Sequence, residues 1–145
     1  MEPLDLSVRA PRGPREELDG LCFFPRAIDK LRAALPGGQT GDYLPFSGLS
    51  YLWARMLAIA LPDLQAAIAS AADEAAVAMW LRAHAGGRPY GEINRRLQNF
   101  TRADLPEAWH AQFEAIYPAE LRERYDNFFD LIDADDRLLS LRSSS

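Results

Sequence analysis

Apolar residues recur at helical spacing along most of this chain. Ile28, Leu31 and Leu35 form an i, i+3, i+7 stripe, with Pro25 before it and Pro36-Gly37-Gly38 after it. Proline suits a first helical turn and glycine follows a last one, so the pattern predicts a helix over residues 25–35. Leu49, Leu52, Trp53, Met56 and Leu57 predict a second helix over residues 48–60. Pro62 starts a short third one through Leu64 and Ile68. Asp73-Glu74 begins a fourth, with Val77, Trp80 and Leu81 inward and His84 in its last turn before Gly86-Gly87. Tyr90, Ile93, Leu97 and Phe100 mark a fifth. Asp104 reads as the cap of a sixth, with Pro106 in its first turn and Glu107 three residues on; Trp109, Phe113 and Ile116 are its core face. Pro118 opens the last helix, whose inward side is Leu121, Tyr125, Phe128 or Phe129, and Ile132.

Three segments fall outside this pattern. Residues 1–13 show no period and read as an extended arm. Residues 13–20 read as a short helical turn, because Pro14 suits a helix start, Glu16 and Glu17 suit its positive end, and Gly20 can stop it. Residues 140–145 have little to bury and are expected to be a flexible tail. β-branched residues are scarce, with only two valines, and no strand is predicted. The expectation is an all-α, compact single domain over residues 1–139, a bundle of six or seven short helices with an N-terminal arm.

Composition narrows the class. A chain of 145 residues, 48% hydrophobic and 26% charged, fits one ordinary globular domain. No apolar run approaches the roughly 20 residues of a membrane span. The acidic start, Met1-Glu2-Pro3-Leu4-Asp5, lacks the pattern of a signal peptide, so a cytoplasmic location is expected. Cys22 is the only cysteine, which rules out an internal disulfide; inside Leu21-Cys22-Phe23-Phe24 it reads as a small buried hydrophobe. The net charge of −5 sits in the last third: residues 104–145 hold ten acids and four bases, while residues 1–35 hold six of each. That distribution argues against nucleic acid as a partner, since a nucleic-acid binder presents a basic face.

The candidate chemistry lies in the first third. Lys30 is the only lysine, against fifteen arginines. Arg12, Arg15, Arg26, Lys30 and Arg32 gather in two proline-arginine phrases, Pro11-Arg12-Gly13-Pro14-Arg15-Glu16 and Pro25-Arg26-Ala27-Ile28-Asp29-Lys30-Leu31-Arg32-Ala33. Guanidinium forks bind carboxylate or phosphate bidentately, and lysine adds a compact charge that, unlike arginine, can lose its proton when buried. Lys30 follows Arg26 by one turn, so both can reach one anion. Asp29 follows Arg26 by three residues and is expected to pair with it, and it would oppose a depressed pKa at Lys30. Glu16, Glu17, Asp19 and Asp29 can also neutralise the cluster as a structural ion-pair network. Tyr43 and Tyr90, in glycine-containing loops, are candidate pocket residues. Asp126, Asp130, Asp133, Asp135 and Asp136 lack the glycine and distal glutamate of a calcium loop and read as a solvated helix end. His84 and His110 have no ligand-spaced partners. No metal and no cofactor are implied.

The phrases Pro11-Arg12-x-Pro14-Arg15-Glu16 and Phe24-Pro25-Arg26-x-x-Asp29-Lys30-x-Arg32-Ala33, with Gly41-Asp42-Tyr43, resemble an uncharacterised bacterial family, the domain of unknown function number 5069. The similarity extends through Ala78-Met79-Trp80-Leu81, Glu92-Ile93-Asn94 and Phe128-Phe129-Asp130-Leu131-Ile132-Asp133, while residues 44–61 diverge. The resemblance implies a small soluble bacterial protein and supplies no activity. It directs attention to Arg12, Arg15, Arg26, Asp29, Lys30, Arg32 and Tyr43. Two functions are expected from these residues. One is binding of an anionic small molecule at the arginine-lysine cluster, with or without catalysis. The other is an interaction module that meets a protein partner while the cluster serves as a structural clasp. Neither reading names a reaction or an oligomeric state.

Overall fold

The densest burial follows the Cys22-Phe23-Phe24 run. In a computed structural model, which describes residues 1–46 and 48–143, every residue from Leu21 to Leu31 is buried. Helix α1 (Phe24–Ala33) runs through the middle of the molecule with only Arg32 less than fully covered. Its apolar side packs into a core centred on Trp53, Phe23, Phe24 and Phe129. The Trp53 ring lies 6.1 Å from Phe23 and 5.7 Å from Phe24, and its indole N–H donates to the Cys22 carbonyl at 3.1 Å. The Cys22 thiol is fully enclosed, and burial pushes its pKa up to about 12, so it is a packing group.

Seven more helices surround α1 among the described residues: α2 (Leu49–Leu57), α3 (Leu61–Ser70), α4 (Glu74–His84), α5 (Tyr90–Gln98), α6 (His110–Ile116), α7 (Ala119–Arg124) and α8 (Phe128–Ser143). The all-α expectation therefore holds for the class. Residues 140–143 continue α8, and residues 144–145 lie outside the described residues. Asp73 caps α4 by accepting from the Ala76 N–H at 2.9 Å, as its position predicts. At Gly87 the chain crosses the end of α2 so closely that a Cβ would collide with the Met56 carbonyl, and Arg88 N–H donates to that carbonyl at 2.8 Å.

Three local expectations are overturned. Residues 13–20 are not a helical turn: β1 (Glu17–Leu18) and β2 (Leu21–Cys22) form an antiparallel hairpin with Leu18 opposite Leu21. Asp19 and Gly20 both take positive φ, 53° and 75°, the signature of the two-residue turn that Asp-Gly favours. Asn94 holds the hairpin, accepting from the Cys22 N–H and donating to the Gly20 carbonyl, both at 2.8 Å. Asp104 does not cap a long helix. It closes a 3₁₀ turn, Arg102–Asp104, and accepts from Thr101. Pro106 then forces Leu105 into an extended conformation, so a second 3₁₀ turn, Glu107–Trp109, precedes α6. The helix expected from Pro118 to Ile132 is two helices. Tyr125 is extended, and the Asn127 side chain accepts from the N–H groups of Phe129 and Asp130 at 3.0 and 3.1 Å, starting α8 afresh.

Residues 1–13 carry no helix. Asp5 bridges Gln39, Leu6 N–H donates to Gln39 O at 2.8 Å, and the Met1 ammonium donates to the carbonyls of Ile68 and Ala71. Among the described residues no single helix is long and apolar enough to cross a membrane.

Candidate functional site

Arg26, Asp29 and Lys30 share one face of α1, at i, i+3 and i+4, and all three are buried. A face this polar is covered only because three different partners meet it. Asp29, 1% exposed, turns to Arg12, whose backbone N–H, Nε and Nη2 donate to it at 2.8, 3.1 and 3.0 Å. Arg12 Nη2 also donates to Glu74 on α4. Burial works against the Arg12 charge, but the bonds to Glu74 and Asp29 outweigh it and hold its pKa above the ordinary arginine value.

Arg26 donates to the Arg12 carbonyl at 3.3 Å and reaches on to α8. Its Nη1 and Nη2 donate to the two oxygens of Asp136 at 2.6 and 3.1 Å, a bidentate pair between buried residues. The expected pairing of Arg26 with Asp29 is therefore absent, because each has a better-placed tertiary partner. Arg15 reaches the exposed side of α8, donating to Asp133 at 2.9 Å and Asp130 at 2.7 Å. Arg32 donates from Nε to the Glu2 carbonyl at 2.8 Å. The acidic face of α8 is thus an acceptor surface for arginines of the first third, not a solvated helix end.

Lys30 differs from all of these. Only 8% exposed, its ammonium has Ser50 Oγ, at 3.3 Å, as its hydrogen-bond partner among the described residues, and no carboxylate. Burial, reinforced by the Arg26 charge and opposed by Asp136, lowers its pKa to about 7. The adjacent Asp29 has no part in that balance, since its carboxylate faces Arg12.

Lys30 lines a cavity of about 260 Å³. Arg26, Tyr43, Ser50 and Tyr117 share its polar wall with Gln112 and the carboxylates Asp42 and Asp135. Phe23, Trp109, Phe113, Phe128 and Ile132 supply the apolar wall, drawn from the start of α1, the second 3₁₀ turn, α6 and α8. The Arg26 guanidinium stands 5.8 Å from the centre of the Tyr43 ring. Burial, with Asp136 close by, keeps the Tyr43 phenol protonated well above its ordinary range, and burial pushes Tyr117 up to about 12. Both phenols are hydrogen-bond donors at neutral pH. Of the seven residues singled out in the sequence, Arg26, Lys30 and Tyr43 line this cavity. Arg12, Arg15, Asp29 and Arg32 do not. Tyr90 lies elsewhere, stacked under Arg82.

The sequence does not mark Ser50 or Tyr117 as site residues, and it marks Trp109 only as core. Ser50 alone carried a signal: a small hydroxyl on the buried side of α2, beside Leu49, Trp53 and Ala54. Tyr117 and Trp109 reach the cavity only because the chain breaks into short turns around residues 101–118.

No curated protein matches this chain. The sequence model of a family described as a domain of unknown function (DUF5069) matches residues 8–138. That span holds both partners of each ion pair between Arg12, Arg15 or Arg26 and its carboxylates, together with Lys30 and the walls of its cavity, and the chain belongs to the DUF5069 family.

Proposed function

We propose that this protein binds a small anionic organic molecule, with its apolar body against the aromatic wall and its anionic group at Lys30. The observation that carries this reading is a buried ammonium that lines a cavity and, among the described residues, has a hydroxyl and no carboxylate as its hydrogen-bond partner. Buried charges are ordinarily paired, and an unpaired one is unfavourable in the empty protein. A carboxylate or phosphate would supply the missing counter-charge. The mixture of apolar walls and a few convergent polar groups is the usual make-up of a ligand pocket. Arg12, Arg15 and Arg32 fall outside the proposed site and act as a clasp for the N-terminal segment.

The pKa of Lys30 gives the proposal a pH signature. An anion beside Nζ favours the protonated form, so binding draws in a proton when the amine is neutral. With a pKa of about 7, the binding-competent form dominates at pH 6 and is scarce at pH 8. Affinity for a carboxylate is expected to fall about tenfold between those values. Titration calorimetry with aromatic and aliphatic carboxylates and phosphate monoesters, at both pH values, tests this. Binding that weakens at pH 8 and is lost in Lys30→Met supports it. No binding by any of these anions at pH 6 overturns it.

A further inference from the structure

We infer that Lys30 is an imine-forming amine, whose Nζ condenses with the carbonyl group of an aldehyde or 2-oxo acid held in the cavity. This rests on the reading of the cavity as a ligand site and goes beyond it by naming the reactive group of the ligand.

Four features of the site converge. The amine is buried, and its stem is held in the central helix, so Nζ has a fixed approach to the cavity. No carboxylate among the described residues hydrogen-bonds to it, and Asp136, the acid that favours its charge, is already engaged at both oxygens by Arg26. The lone pair is therefore not tied to an ion pair. A lysine nucleophile is activated by desolvation beside another cation, and Lys30 has both, burial and Arg26. The aromatic side chains that line the cavity give an imine an apolar surrounding, which disfavours its hydrolysis.

The chemistry balances without any oxidant or reductant. The neutral Nζ donates its lone pair to the carbonyl carbon, forming a C–N bond while the C=O π electrons move to oxygen. A proton passes from nitrogen to that oxygen, giving a carbinolamine. Ser50 Oγ, hydrogen-bonded to Nζ at 3.3 Å, can relay it. The carbinolamine hydroxyl then takes a second proton and leaves as water, and the nitrogen lone pair forms the C=N bond. Tyr117, protonated at neutral pH and lining the cavity, is the donor for that oxygen, with Tyr43, already bonded to Asp136, beside it; the C=N–H⁺ nitrogen then returns a proton to the phenolate and leaves the neutral imine. A 2-oxo acid fits best, since its carboxylate also supplies the counter-charge discussed above.

The single lysine makes the test self-localising. The chain has two primary amines, Lys30 and the Met1 α-amino group, and the latter already donates to the Ile68 and Ala71 carbonyls. The protein of residues 1–145 is incubated with phenylpyruvate and sodium cyanoborohydride at pH 7, then read by intact mass and peptide mapping. The expected result is one reduced adduct on Lys30, forming at least tenfold faster than on Nα-acetyl-lysine amide. Its rate should fall off below pH 7, and 3-phenylpropionate, which has the same body and carboxylate but no ketone, should compete. Competition is read on the native protein, so it needs no variant that folds. If 3-phenylpropionate binds but Lys30 labels no faster than the free amide, or only Met1 labels, the imine is overturned and the anion site stands. If 3-phenylpropionate neither binds nor competes and no adduct forms, both fall.

Discussion

Lys30 is held at a cost to the fold, and the cost depends on pH. An unfolded lysine titrates near its ordinary value of 10.5, whereas the folded one titrates near 7. Between those values the unfolded chain binds a proton that the folded chain does not, so stability contributed by this group rises with pH across that window. Below pH 7 the charged amine is buried at its full penalty, on the order of 5 kcal/mol at about 1.4 kcal/mol for each pH unit. Methionine has nearly the same shape and no charge. Lys30→Met is therefore expected to be more stable than the parent at pH 6, by roughly 1–4 kcal/mol, because replacing a buried charge with a packed apolar group is commonly neutral or stabilising. The gain should shrink steadily toward pH 10. Urea denaturation at pH 6, 8 and 10 measures it. A chain grown on lysine labelled with 13C at Cε alone gives one resonance, from Lys30, which reads the pKa directly. Equal stability at every pH, with the resonance titrating near 10.5, would show that Nζ is hydrated.

At the scale of elements, the N-terminal segment and α1 are joined by one desolvated carboxylate. Asp29 receives three bonds from Arg12 and is almost wholly enclosed. Arg12→Ala removes two of the three and leaves the carboxylate buried without a counter-charge, which costs about 3–5 kcal/mol. Arg15→Ala, whose partners Asp130 and Asp133 are open to water, should cost less than about 1 kcal/mol. Denaturant midpoints of the two variants give the comparison, and similar losses would contradict it. The same contrast explains what could be read from the sequence. Pro25 and Pro36-Gly37-Gly38 bracket α1 locally, so its limits were legible to within two residues. The hairpin was not, because Pro14 and two glutamates suggest a helix start while Asp19-Gly20 between Leu18 and Leu21 dictates a turn. The ion pairs were not legible either. Asp29 offers Arg26 a partner three residues away, but the bond that forms is to Asp136, 110 residues on. Local spacing shows which residues share a face of a helix. It does not show what covers that face, and here the cover decides which cation lines the cavity and which becomes a strut.

On the scale of the whole molecule, the two ends of the chain meet each other over α1, where Arg26 bonds to both Arg12 and Asp136, and the acidic last third is the counterpart of the arginine-rich first third. α8 supplies Phe128, Phe129, Leu131 and Ile132 to the core and Asp136 to Arg26. Burying four such side chains contributes about 6–12 kcal/mol at roughly 1.5–3 kcal/mol each, as much as the net stability of a typical domain. Removing α8 also leaves the Arg26 charge in the core without its carboxylate and strips one wall from the cavity. Residues 1–126 alone are therefore expected to show helical circular dichroism but no cooperative thermal transition. Adding a peptide of residues 127–145 should restore the transition, because the apolar surface and Asp136 return together. A peptide with Asp136→Leu separates the two contributions: it brings back the apolar contacts and leaves Arg26 unpaired, so it should bind at least tenfold more weakly. If residues 1–126 unfold cooperatively unaided, the core around α1 is complete without α8, and the Arg26–Asp136 pair is an accessory to the fold.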